Sequence, residues 1–192
     1  MKRITSIILI IFGFLLCLIS IYPVFDMNKQ VSESITEWEE LKQDNVLLDE
    51  GLENDDKKPI DSELIGLLQI STYDQQIPIR RGIDTDTLKK GAGLDESTTQ
   101  IGEKGNSVIY GHRENILWNL KHVDINDELM IETLDKVLKF KIFDIKTVDP
   151  GNPYIDEKSQ DSVLTLVTCY PFIYMGPTPQ RYVVKARLIE ES

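Results

Sequence analysis

From Leu64 to Ile189 the chain is cut into short alternating or β-branched segments by glycine, proline, asparagine and aspartate. That punctuation most narrows what it can fold into. Leu64 to Ile70, Gln76 to Arg81, Ser107 to Tyr110, Glu128 to Thr133, Val137 to Val148, Ser162 to Tyr170 and Arg181 to Ile189 read as strands. The fifth of these alternates cleanly, with Leu138, Phe140 and Ile142 on one face and Val137, Lys139 and Lys141 on the other. Helical signals here are brief. Asp84 is placed to cap a turn through Leu88-Lys89-Lys90 that Gly91-Ala92-Gly93 ends, and Ile116 to Leu120 reads as a short helix. Leu94 to Asn106 reads as a loop, and Asp149-Pro150-Gly151-Asn152-Pro153 as a turn-rich connection. The expectation is a mostly β domain, a sandwich or closed barrel with short helices, large enough to bury a core without disulfides.

Upstream lies a different kind of segment. Ile4 to Phe25 carries no charge, and its polar members are Thr5, Ser6, Ser20 and the Tyr22 hydroxyl. At about 1.5 Å per residue it spans about 33 Å, against a bilayer core of about 30 Å. Lys2 and Arg3 precede it, which sets residues 1–3 in the cytoplasm and the remainder outside the cell. The exit through Ile21-Tyr22-Pro23-Val24-Phe25-Asp26 lacks the small-residue pattern of a cleaved signal, so residues 4–25 are expected to stay as a transmembrane anchor. In residues 26–60, Val31, Ile35, Trp38 and Leu41 recur four, three and three apart, one face of a helix that either rises as a stalk or packs on the domain behind it. An acid-rich linker from Asp44 to Glu63 follows, without the ligand spacing of a calcium loop, and residues 61–192 form the extracellular domain.

The chain has 32 acidic and 21 basic residues; without Lys2 and Arg3 the basic count is 19, leaving −13 on the external part. That balance excludes nucleic acid and electrostatic adhesion to anionic lipid. Of the two cysteines, Cys17 lies in the apolar run, so Cys169 has no intrachain disulfide partner outside. Taken alone, Cys169 reads as a buried core thiol. An odd thiol in an external domain is instead a candidate reactive group.

Its company gives it a chemistry. Cutting an amide with a thiol needs a nucleophile, a proton donor for the departing amine, and a cation or donor aimed at the oxyanion. Cys169 ends one strand, His112 follows another in Gly111-His112-Arg113, and Arg181 opens the last. The other histidine, His122, sits between Lys121 and Val123 and reads as solvated. Among competing arginines, Arg187 lies mid-strand and Arg113 is placed to order the histidine's loop.

Thr165-Leu166-Val167-Thr168-Cys169, with the upstream Gly-His and the downstream Arg, resembles the signature of the sortases, membrane-anchored cysteine transpeptidases of Gram-positive bacteria. The likeness spans about Leu64 to Ile189 and implies a closed β-barrel of about eight strands. It implies Cys169 as nucleophile, His112 as general acid/base and Arg181 as oxyanion stabiliser, with Thr168 and Tyr170 against the substrate. It also implies cleavage of an LPXTG-like sorting signal between Thr and Gly or Ala, through a thioacyl-enzyme. The surface protein then passes to the amine of a cell-wall precursor. No metal or other cofactor is required for this chemistry. Gly111-His112-Arg113 leading to Trp118-Asn119-Leu120, and Cys169-Tyr170-Pro171-Phe172 leading to Gly176, look most like class D. The short Asp149 to Asp161 connection leaves no room for the helix of class B, and no second membrane segment of the class C kind follows. One departure stands out: Leu94 occupies a position where related chains often carry histidine.

Other readings fit less well. L,D-transpeptidases place a Ser-His-Gly close before their cysteine, and papain-like proteases place the cysteine before the histidine. A pilin-polymerising sortase, and an inactive surface-binding module on the same barrel, are the remaining alternatives.

Overall fold

In the computed structural model the described residues are 2–49, 63–73, 75–174 and 176–192; within the first helix the side chains of residues 2–6, 8, 17–25 and 46–49 are not among them. After helix α1 (Lys2–Asp49) come β1 (Leu64–Ile70), β2 (Gln76–Arg81), α2 (Thr85–Lys90), β3 (Ala92–Leu94) and β4 (Gly105–Tyr110). A 3₁₀ turn (Trp118–His122) leads to β5 (Glu128–Glu132), β6 (Val137–Val148), β7 (Ser162–Tyr170) and β8 (Gln180–Glu191). The eight strands close into a barrel in the order β1-β2-β3-β4-β7-β8-β6-β5. The mostly β, closed-barrel expectation is met. Alternation along each strand sends one set of apolar side chains inward: Leu68, Ile79, Ile109, Leu129, Phe140 and Leu166 are at most 1% exposed.

Two elements differ from expectation. Ala92–Leu94 is not simply the end of α2 but a strand, paired parallel to β2 and antiparallel to β4. Three residues with a glycine at their centre carry no readable period, and only the neighbours on both sides make it a strand. The short helix expected at Ile116 to Leu120 is a 3₁₀ turn shifted to Trp118–His122, preceded by buried Ile116 and Leu117. Asp84 does cap α2, accepting from Asp86 N at 2.9 Å and Thr87 N at 3.1 Å.

The amphipathic segment from Asp26 is the second half of one unbroken helix. It packs on the barrel rather than standing clear of it. Trp38 is fully buried with Leu64 and Leu67, flanked by Ile35, Leu41 and Leu134. Arg80, 6% exposed, donates from Nη1 to Ser34 Oγ at 3.2 Å and to Glu37 Oε2 at 2.9 Å. Further along, Lys42 pairs with Glu132 at 2.6 Å. Among the described residues no helix is long and apolar enough to cross a membrane. The expected span 4–25 falls partly outside them, since side chains 17–25 are not described. Its described members Leu9, Phe12, Phe14 and Leu15 are each more than half exposed. Most of the expected acidic linker likewise lies outside the described residues.

Candidate active site

Strand β7 is buried on both faces from Val163 to Thr168. Leu164 and Leu166 fill the barrel, while Val167 packs outside it with Val108, Val183 and Ile155. Period-two alternation then sets Cys169 on the outer face, two residues beyond Val167, where it is a half-buried free thiol. Arg181 is its register partner in β8. Directly opposed residues of an antiparallel pair share a face, with Cβ atoms about 4.5–5.5 Å apart. The two side chains therefore leave the sheet side by side, and the Arg181 guanidinium donates from Nη1 to Gln180 O at 3.0 Å.

On the other flank, β4 runs parallel to β7 with Tyr110 beside Val167. The ladder continues one step, Gly111 N donating to Val167 O at 3.1 Å. Thr168, 2% exposed, donates from its hydroxyl to Gly111 O at 2.7 Å. His112 follows directly, one residue beyond this last rung, as Cys169 follows Thr168. Beyond it, Leu117 N donates to His112 O at 2.9 Å. The turn so formed presses on Gly111: a Cβ there would sit 2.7 Å from Leu117 Cγ. Glycine is what lets this loop fold tightly against the end of β4.

The three sequence-predicted catalytic candidates are thus gathered at one end of adjacent strands β4, β7 and β8. His122 is exposed and set against Tyr73, ring centroids 6.0 Å apart. Arg187 is exposed and pairs with Asp161 at 3.1 Å. Leu94, the departure noted above, is 1% exposed in the barrel core.

Thr168 fastens the cysteine strand to the histidine's loop. Tyr170 is half-buried, stacked on Tyr182 at 6.1 Å and edge-on to Phe172 at 6.2 Å. Phe172 also meets Tyr182 at 5.2 Å and Trp118 at 6.3 Å, closing this end of the barrel with aromatic rings.

Arg113 does order its surroundings. Its side chain, 8% exposed, donates to Pro171 O at 2.7 Å and Tyr174 O at 2.9 Å, and pairs through Nε with Glu114 at 2.8 Å. The guanidinium fork thereby ties the histidine's loop to the loop that follows the cysteine.

Across the site, the connection between β6 and β7 lies on the outer face of the sheet. Ile155 is buried against Val108 and Val167, and buried Asn106 donates to Ile155 O at 2.9 Å and Glu157 O at 3.2 Å. Thr165 in turn donates to Asn106 Oδ1 at 2.6 Å. Lys185, 4% exposed, reaches Glu157 at 3.1 Å and lies 4.0 Å above the Tyr154 ring. Burial, then Asp156 and Asp95, push the Tyr110 phenol up to about 12, partly opposed by Arg181. Sequence reading missed Asn106 and Lys185 as parts of the wall. A lysine inside the otherwise apolar run Tyr182 to Ala186 was the one available signal.

The family model of the sortase domain matches residues 68–189. Sortase D of Bacillus subtilis (strain 168) is 29% identical over 133 residues, 69% of this chain and 67% of the relative. Sortase A of Listeria monocytogenes is 25% identical over 123 residues; the match covers 62% of this chain and about half, 53%, of that relative. Among solved structures, a Clostridium perfringens Sortase D5 transpeptidase is 26% identical with a TM-score of 0.62, covering 86% of this chain and 99% of that one.

Proposed function

Because the chain belongs to the sortase family of cysteine transpeptidases, we propose that it cleaves an LPXTG-like sorting signal and passes the acyl part to the amine of a cell-wall precursor. The observation that carries this reading is the Cys169–Arg181 register pair with the His112 loop fastened beside it.

In this reading Cys169 gives its proton to His112 and its sulfur attacks the Thr carbonyl of the Thr-Gly or Thr-Ala bond. Arg181 donates to the oxyanion that forms. As the C–N bond breaks, His112 passes its proton to the departing amine, leaving a thioester on Cys169. The acceptor amine then attacks that thioester and gives a proton through His112 to the departing thiolate. Thr168 holds the two reacting elements in register, and Tyr170 borders the peptide. Likeness to the Bacillus subtilis and Clostridium perfringens proteins supports a class D assignment, as do the residues around His112 and Cys169. Residues 4–25 anchor the chain in the membrane with Lys2 and Arg3 in the cytoplasm and the barrel outside; the uncharged run supports this.

The test is the full chain in detergent, given a quenched LPXTG-type peptide with and without an amine acceptor. Cleavage abolished by Cys169→Ala, with transfer product formed only when acceptor is present, is the expected result. Cleavage that survives Cys169→Ala, or none for any sorting-signal variant, overturns it.

A further inference from the structure

We propose that the barrel end carrying Cys169 and His112 faces the bilayer and rests on it through its exposed apolar loop tips, Ile173, Tyr174 and Ile125. The inference rests on the membrane-anchor reading above and adds an orientation to it.

The direction comes from two contacts of α1. Near its docked start, Asn28 Oδ1 accepts from Asn115 Nδ2 at 2.8 Å, in the connection between β4 and β5. Near its end, Asn45 Nδ2 donates to Leu134 O at 3.3 Å, in the turn between β5 and β6 at the opposite end of the barrel. The rise between these two residues is about 25 Å, so the helix runs the height of the barrel. Its N-terminal side leaves at the end where β4 and β7 finish and β8 begins.

Asn28 stands just three residues past Phe25, the last residue of the uncharged run, a rise of about 5 Å. Asn115 stands three residues past His112, about 10 Å at full stretch. His112 is therefore held near the level where the apolar run ends, joined to it by the Asn28–Asn115 link and these two short stretches of chain. Pro23 removes one helical hydrogen bond at this boundary and permits a bend, but a bend does not turn the barrel end for end.

An independent observation comes from the surface. Ile173 is 83% exposed and Tyr174 49%, both on the loop that follows Cys169. Ile125 is 47% exposed on the connection between β4 and β5. Arg113 ties the first loop to the start of that connection. Exposed apolar tips at the end that the anchor brings down to the lipid have a ready partner in the headgroup–acyl boundary. The same end carries exposed Glu114, Asp124 and Glu128, so contact is made by the apolar tips and is weaker on anionic lipid. A peptide bond and an amine presented at headgroup level then reach Cys169 directly.

The experiment reconstitutes the full chain, with Cys17→Ser and Cys169→Ala, in phosphatidylcholine vesicles. A fluorophore is attached in turn to Leu15→Cys, Ile173→Cys, Ile125→Cys and Asp135→Cys, the last an exposed position in the β5–β6 turn. Spin-labelled lipids then report depth. The expected result is deep quenching at 15, shallow quenching at 173 and 125 at about 5–10 Å depth, and none at 135. Quenching at 15 without quenching at 173 and 125 overturns the orientation and leaves the anchor standing. Equal quenching at 173 and 135 also overturns it. No quenching at 15 removes the anchor and the orientation together.

Discussion

Cys169 and Arg181 face each other directly across the β7–β8 ladder, each at the end of its strand. Neither depends on loop conformation to meet the other, because the register of eight residue pairs sets their spacing. A guanidinium beside a thiol at a strand end is what a developing oxyanion on that sulfur's acyl partner needs.

Arg181→Ala is accordingly expected to lower kcat by about 10²–10³-fold with thermal stability unchanged. Arg181→Lys should recover little, since a single ammonium does not reproduce the planar fork. His122→Ala should leave turnover near that of the parent, because its ring lies against Tyr73. Single-turnover cleavage of a sorting-signal peptide measures all three. Near-parental turnover in Arg181→Ala would move the oxyanion role elsewhere.

Asn106 bridges the barrel and the β6–β7 connection with three side-chain hydrogen bonds at a buried site. Asn106→Ala strands two carbonyls and the Thr165 hydroxyl, and should cost about 2–3 kcal/mol. Denaturant midpoints give the loss, and hydrogen exchange should show residues 149–161 opening first. If that connection stays protected, Ile155 and Lys185 alone hold the wall.

Tyr110 makes stability depend on alkaline pH. Its phenol titrates at about 12 in the fold against 10.0 in the unfolded chain. The fold thus favours the neutral form; that contribution is whole below pH 10 and is lost as pH rises toward 12. Tyr110→Phe should flatten the fall in stability across this window, read from denaturant midpoints. Arg181→Ala should push the phenol's titration higher, visible in phenolate absorbance. An unchanged titration would mean that the guanidinium does not lie near Tyr110.

Trp38 closes the contact between α1 and the barrel at 0% exposure, and among the described residues its indole N–H has no partner. Trp38→Ala should cost about 3–5 kcal/mol. Amide protection across residues 28–45 should fall while β7 and β8 keep theirs. Trp38→Phe should cost much less, since it fills most of the volume and removes the unpartnered donor. Equal losses in both variants would point to the indole N–H as the stabilising group.

Much of the barrel was legible because its strands carry their own boundaries. Val137–Val148 and Ser162–Tyr170 alternate or run β-branched and stop at proline and glycine, and the structure begins and ends them where the sequence does. Ala92–Leu94 had no such mark, as three residues have no period. The candidate residues Cys169, His112 and Arg181 were legible for a related reason: each sits where a strand signal stops or starts.

The sequence by itself determined seven of the eight strands, the placing of Cys169 at the close of one of them, and the helix face of Val31, Ile35, Trp38 and Leu41. These are local, written in periods of two and of about 3.6 and in turn residues. Only the tertiary structure decided that β7 lies between β4 and β8, which puts His112 and Arg181 on either side of Cys169. It alone decided that Arg113, Asn106 and Lys185 are buried ties between distant loops, and which end of the barrel α1 leaves from. Strand order and loop docking depend on which apolar faces close on one another across the whole chain, and no local pattern records that choice.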